Sequence, residues 1–64
     1  MKIVTASDGK EIDVDSCAEE YVMDGSGNLY RQIFTTPFGK YCFTYSYDAL
    51  GNPLGKSLLT PYLP

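Results

Sequence analysis

Two cysteines, Cys17 and Cys42, are the strongest nucleophiles in this chain of 64 residues, and no histidine occurs anywhere to serve as their base. Imidazole is the side chain that most often takes a proton near neutral pH, so Cys–His and Ser–His chemistry is excluded. Cys17 falls where a helix start is expected, a place that lowers a thiol pKa. No imidazole partner is present to generate a thiolate, and with no export signal a reducing compartment would keep both as thiols. Both are therefore expected to be free and largely buried, since free cysteine packs as a small hydrophobe. Zinc needs four ligands from Cys, His and carboxylate, and no C-x-x-C spacing is present. Asp24, Ser26 and Asn28 match the first three ligand positions of an EF-hand loop. Leu29 then stands where the loop needs Gly, and Thr35 where it needs a bidentate Glu. Gly25-Ser26-Gly27 is too short to cradle phosphate, and no nucleophile elbow, Walker loop or dinucleotide fingerprint occurs. The residue types point to a non-catalytic protein without metal or cofactor.

Charge is the more informative chemistry. Asp8, Glu11, Asp13, Asp15, Glu19, Glu20 and Asp24 crowd residues 8–24 with Lys10 as the single base, in a chain of net charge −3. A strand over residues 10–15 would set Glu11, Asp13 and Asp15 on one face at intervals of ~6.6 Å, comparable to phosphates along a nucleic-acid strand. Glu19, Glu20 and Asp24 extend that patch, so Glu11, Asp13, Asp15, Glu19, Glu20 and Asp24 form the expected partner-binding surface. Such a face either solvates a small protein or meets a basic partner. A second candidate surface is aromatic. Six tyrosines and three phenylalanines exceed what one short helix can cover, and Tyr suits interfaces by joining apolar area to a polar tip. Tyr30, Tyr45, Tyr47 and Tyr62 are its candidates.

The elements that must position these groups follow from turn chemistry and periodicity. Ser7-Asp8-Gly9-Lys10 divides residues 2–6 from 10–15 as a hairpin turn. Ser16-Cys17-Ala18-Glu19 fits the S-x-x-E capping box, and Cys17, Ala18, Tyr21 and Val22 fall on one stripe of a short helix over 17–23. Two turns of helix are unstable alone, so this one must dock on a sheet. Thr36-Pro37-Phe38-Gly39 is a turn between strands 29–36 and 40–47. A two-residue loop there makes paired positions sum to 75, so that Phe34 faces Tyr41, Gln32 faces Phe43 and Tyr30 faces Tyr45. Residues 54–60 suit a third strand, weakened by Gly55 and blurred by two adjacent leucines. Pro61-Tyr62-Leu63-Pro64 reads as a tail that cannot continue a ladder.

One echo runs through the chain. Asp24-Gly25-Ser26-Gly27-Asn28 and Asp48-Ala49-Leu50-Gly51-Asn52 share D-x-x-G-N at a spacing of 24 residues. The stretch Tyr47-Asp48-Ala49-Leu50-Gly51-Asn52 resembles the motif of the YD-repeat (Rhs-type) toxin shells, with Met23 in place of the tyrosine in the earlier copy. The two segments read as hairpin turns of shared turn chemistry.

The expected fold is α+β: a small, hairpin-rich antiparallel sheet of three to five strands, with one short α-helix on its aromatic face. Residues 1–60 form one domain and 61–64 a tail. No stretch approaches the ~20 apolar residues of a membrane span, and the first residues turn polar too soon for a secretory leader, so the expected location is cytoplasmic. Size, acidity and lack of catalytic residues are similar in kind to small phage-encoded anti-defence proteins, anti-CRISPR inhibitors among them. That likeness implies an inhibitor that mimics nucleic acid and docks on a larger basic protein or nucleoprotein complex, in the host-cell cytoplasm if phage-encoded. An assembly subunit using its Tyr-rich face, with a second copy of the chain among its candidate partners, is the alternative. Binding of single-stranded nucleic acid ranks last, because phosphate contacts need more than five bases against eight acids.

Overall fold

The computed structural model describes residues 1–63. Seven strands run in chain order: β1 (Ile3–Thr5), β2 (Glu11–Asp13), β3 (Ala18–Met23), β4 (Leu29–Thr36), β5 (Gly39–Tyr47), β6 (Pro53–Lys56) and β7 (Thr60–Pro61). The first two make a separate hairpin. The others form one antiparallel sheet in the order β3-β4-β5-β6, with β7 beside β6 on the same edge of β5.

The short helix expected over 17–23 does not form, and the fold is nearly all β instead of α+β. Its only helical turn among the described residues is a 3-10 turn, Val14–Ser16. Ser16 does not cap a helix by accepting the Glu19 amide. Its hydroxyl donates to Asp13 Oδ2 at 2.9 Å, closing the 3-10 turn. Ala18–Met23 then runs extended against β4, from Ala18 opposite Thr35 to Met23 opposite Leu29. A two-turn helix gains about one hydrogen bond per residue only after a costly nucleus, whereas β3 finds a preformed ladder beside it.

The central hairpin follows the expected register: Phe34 pairs with Tyr41 and Gln32 with Phe43. Thr36 locks its turn, donating through its hydroxyl to Gly39 O and accepting the Phe38 amide. Tyr30 does not join that ladder, which ends at Arg31 opposite Thr44. The strand expected over 54–60 is two short pieces, β6 and β7, separated where Leu59 turns inward. Pro61 pairs with Tyr41 and the Tyr62 amide donates to Lys40 O, so the chain end continues the sheet edge where a tail was expected. Pro64 lies outside the described residues.

Phe34, Tyr41 and Phe43 project from one face, as expected, but the β1–β2 hairpin covers them in the helix's place. Ala6, Ile12 and Val14 from the hairpin, together with Leu59, complete the buried core. Phe34 and Phe43 meet edge to face with centroids 5.8 Å apart, a favoured quadrupole geometry. Two polar ties fix the hairpin to the sheet: Tyr41 Oη donates to Asp8 Oδ2 at 2.6 Å, and the Ser7 amide donates to Leu59 O.

The echo at 24 residues proves to be a repeated hairpin. In each copy the Asp Oδ1 accepts two backbone amides, from Ser26 and Asn28 in the first and from Leu50 and Asn52 in the second. In each the Asp amide donates to the Asn carbonyl, and the Gly amide to the Asp carbonyl. Gly27 and Gly51 both take the left-handed φ that glycine adopts without strain, +85° and +86°. The ladders match too: Tyr21 opposite Gln32 corresponds to Tyr45 opposite Lys56, and Val22 opposite Arg31 to Ser46 opposite Gly55. Both registers then slip one step further on, leaving Tyr30 and Leu54 as the extra residues. The β3–β4 and β5–β6 hairpins are thus one design used twice.

Candidate interaction surfaces

The six acidic candidates are not gathered on one face. Glu11 and Asp13 share a side of β2, but the strand stops at Asp13 and Asp15 lies in the 3-10 turn. Asp13 ends the strand by acting as a cap. Its Oδ1 accepts the Lys2 and Asp15 amides, and its Oδ2 the Ser16 hydroxyl. The Ser16 hydroxyl, and then these amides, hold the Asp13 carboxyl below its usual value. Asp15 lies 3.6 Å from the N-terminal ammonium.

On β3 successive side chains point to opposite faces, which separates Glu19 from Glu20. Glu19 accepts from Tyr21 Oη at 2.7 Å and from Gln32 Nε2 at 3.3 Å. Glu20 lies 3.9 Å from Lys40 Nζ on the other face. Asp24 is consumed in its turn. Among these six, Glu11 alone has no internal hydrogen bond or ion pair among the described residues. The carboxylates therefore serve first as caps, turn closers and cross-strand partners.

The tyrosine candidates divide in the same way. Tyr45 Oη donates to Gln32 Oε1 at 2.8 Å, and Tyr47 Oη to Leu29 O at 2.7 Å. Burial pushes the Tyr45 hydroxyl pKa upward. Tyr30 and Tyr62 flank Arg31, whose guanidinium carbon lies 5.0 and 5.7 Å from their ring centroids. Ile33 and Cys42, paired across β4 and β5, are buried on the face opposite Phe34 and Tyr41.

An apolar cleft of about 260 Å³ opens between the hairpin and the β4–β5 turn, with Ile12, Cys17, Pro37 and Phe38 on its walls. Both cysteines are free. Burial, and then the charges of Asp13 and Glu19, push the Cys17 thiol pKa upward, which keeps it protonated and a poor nucleophile. No cluster of three metal-ligating side chains exists among the described residues, and none of their helices is long and apolar enough to cross a membrane.

The feature that sequence reasoning missed is the sheet's pair of open edges. All six residues of β3 are exposed, including Tyr21 at 57 % and Met23 at 55 %, and no described strand pairs with its outer side. At the opposite edge β6 is exposed throughout, with Leu54 at 68 %. An unpaired strand presents backbone donors and acceptors to any extended chain. The sequence signal was there: the 24-residue spacing aligns Tyr21 with Tyr45 and Met23 with Tyr47, so the clear strand 41–47 marks 18–23 as its counterpart. Comparisons with protein-family models, curated proteins and solved structures find no match for this chain.

Proposed function

We propose that this protein is a non-catalytic assembly module that joins other β-structure through the open edge of its sheet. The carrying observation is β3: a six-residue edge strand, exposed along its whole length and bearing Tyr21, Val22 and Met23 beside its unpaired backbone. Strand addition takes affinity from main-chain hydrogen bonds and selectivity from alternate side chains, and both are available there. The repeated hairpin supports the same reading, since units of one design at a fixed period bury their edges by stacking on further units. The four candidate tyrosines support it less directly: they brace the sheet through hydrogen bonds and the Arg31 stack. Two free thiols fit a reducing compartment such as the cytoplasm.

An acidic decoy that occupies a basic groove is the second reading, favoured by the one-signed charge of residues 8–24. It draws least on the geometry, because the carboxylates are dispersed and internally engaged. A photo-crosslinking side chain separates the two. Placed at position 21 in the native host, it should capture a partner's strand. Placed at 11 or 15, it should capture little. Capture from 11 and 15 with none from 21 would replace assembly by inhibition, and Leu50, in the far turn, supplies the background.

A further inference from the structure

The chain's own repeat specifies what fits its open edge. Residues 18–34 map onto 42–58 by a shift of 24, so β3 corresponds to β5 and β4 to β6. The chain already shows how a hairpin of this design joins the next one: β4 pairs with β5 with positions summing to 75. The strand that belongs beside β6 is therefore one equivalent to β5, and β3 of a second copy is such a strand. We infer that copies of this chain associate head to tail, with β3 of one added to the free edge of β6 of another in the β4–β5 register. This inference rests on the assembly reading above and names its partner.

Transferring the register gives specific pairs. Gln32 opposite Phe43 becomes Lys56 opposite Glu19 of the second copy, and Arg31 opposite Thr44 becomes Gly55 opposite Glu20. A cation thus meets an anion on one face, and the other glutamate meets a residue with no side chain to crowd it. Leu54, like its counterpart Tyr30, lies just past the end of this ladder and is exposed. The acidic edge and the basic edge are complementary in sign, whereas β3 against β3 would gather four glutamates. The hairpin tie at Leu59 lies beyond the 55–57 stretch that would pair. Lys56 Nζ rests 4.1 Å from the Phe43 ring centroid, on the face that Glu19 would enter.

The transferred ladder sets Gly55, Lys56 and Ser57 opposite Glu20, Glu19 and Ala18. That overlap is about three residues, or ~10 Å of strand, so the contact is weak and association belongs in the range of about 10 µM to 1 mM. A heterologous contact of this kind leaves one free edge at each end and grows open-ended. The test needs no unknown partner: analytical ultracentrifugation of the purified chain over that range. Wild type should gain mass with concentration. Glu19→Lys and Lys56→Glu, both at exposed positions and checked for fold by circular dichroism, should each weaken association by about tenfold. Glu19→Gln, which keeps an acceptor for Tyr21, should weaken it less. Mixing the two reversed variants should restore open-ended association as an alternating chain, because each variant's β3 then meets an oppositely charged position 56 in the other. A wild type that stays monomeric to about 1 mM, or self-association indifferent to both reversals, overturns the inference. Should a monomeric wild type still be captured from position 21 by a different protein, the assembly reading stands while the second copy is ruled out as its partner.

Discussion

Leu58 and Leu59 are chemically identical neighbours whose replacement should have opposite consequences. Leu59 is 1 % exposed and packs with Phe34, Tyr41 and Phe43 and with Ile12 of the hairpin core, whereas Leu58 is 71 % exposed. Truncating a fully buried leucine to alanine costs about 2–5 kcal/mol, the spread reflecting how far the site collapses. A chain of 64 residues has only about 3–10 kcal/mol of stability in all. Leu59→Ala should therefore remove a large share of it and lower Tm by roughly 10 °C or more, at about 4–8 °C per kcal/mol for a domain of this size. The loss should also loosen the β1–β2 hairpin, which is tied to the sheet by the Ser7 amide on Leu59 O and by the same core. Leu58→Ala should stay within about 0.5 kcal/mol, or roughly 4 °C. Thermal unfolding followed by near-ultraviolet circular dichroism measures both. Equal shifts for the two variants, or a Leu59→Ala shift below about 4 °C, would refute the placement of Leu59 as the keystone between hairpin and sheet.

Gly27→Ala and Gly51→Ala should each cost about 1–2 kcal/mol and agree closely, because the same left-handed φ recurs and no neighbour would touch the added methyl; urea midpoints that differ widely would break the equivalence of the two hairpins. Asp8, Asp13 and Asp48 have lowered pKa values, caused first by the Tyr41 hydroxyl, the Ser16 hydroxyl and the Asn52 amide respectively. Their contribution is present above the unfolded carboxyl range near pH 4 and is lost as pH falls through the lowered folded values, so urea midpoints should drop on acidification and Asp8→Asn should flatten that drop. The Tyr41 hydroxyl, raised first by its bond to Asp8, contributes below about pH 10 and loses that contribution as pH rises through its folded value. Thiol titration of the native protein should label half-buried Cys17 slowly and buried Cys42 more slowly still, with both reacting at once in denaturant.

The parts of the fold legible in the sequence are those where two local signals agreed. At 29–47 a Pro turn and a clean alternation of aromatics pointed to the same hairpin, and its register followed from loop length alone. At 2–15 Asp-Gly between β-branched pairs did the same for the first hairpin, but its second strand ended early because Asp13 turned its carboxylate to capping. At 16–23 the signals disagreed. Ser16 and Glu19 fitted a capping box and four apolar residues fitted a stripe, yet both patterns are short enough to occur in an edge strand by chance. What decides such a segment is whether a neighbour offers a ladder, and β4 does. The scattered carboxylates trace to the same two departures: a strand three residues long cannot align Glu11, Asp13 and Asp15, and a strand in place of a helix sends Glu19 and Glu20 to opposite faces.

The same departures relocate the chemistry of the surface. In a helix, Glu19 and Glu20 would have added to an acidic face opposed by little. In β3 they become the charged margin of an edge strand, the usual place where proteins set charge to discourage unwanted pairing. Such charge discourages a like-charged edge and admits an oppositely charged one, so it would act as a selector for the Lys56 edge of a second copy. The six tyrosines follow a parallel logic. Tyr41, Tyr45 and Tyr47 spend their hydroxyls inside the fold, on Asp8, Gln32 and the Leu29 carbonyl, and so stiffen the sheet that carries the edge. Tyr21 is the exposed one whose hydroxyl bonds to Glu19 on its own strand, two positions away and on the same face. Two of the acidic candidates, Glu19 and Glu20, thus share one strand with Tyr21, an exposed tyrosine that was not among the aromatic candidates. A partner that engages Glu19 must also cover Tyr21, and a single edge accounts for both.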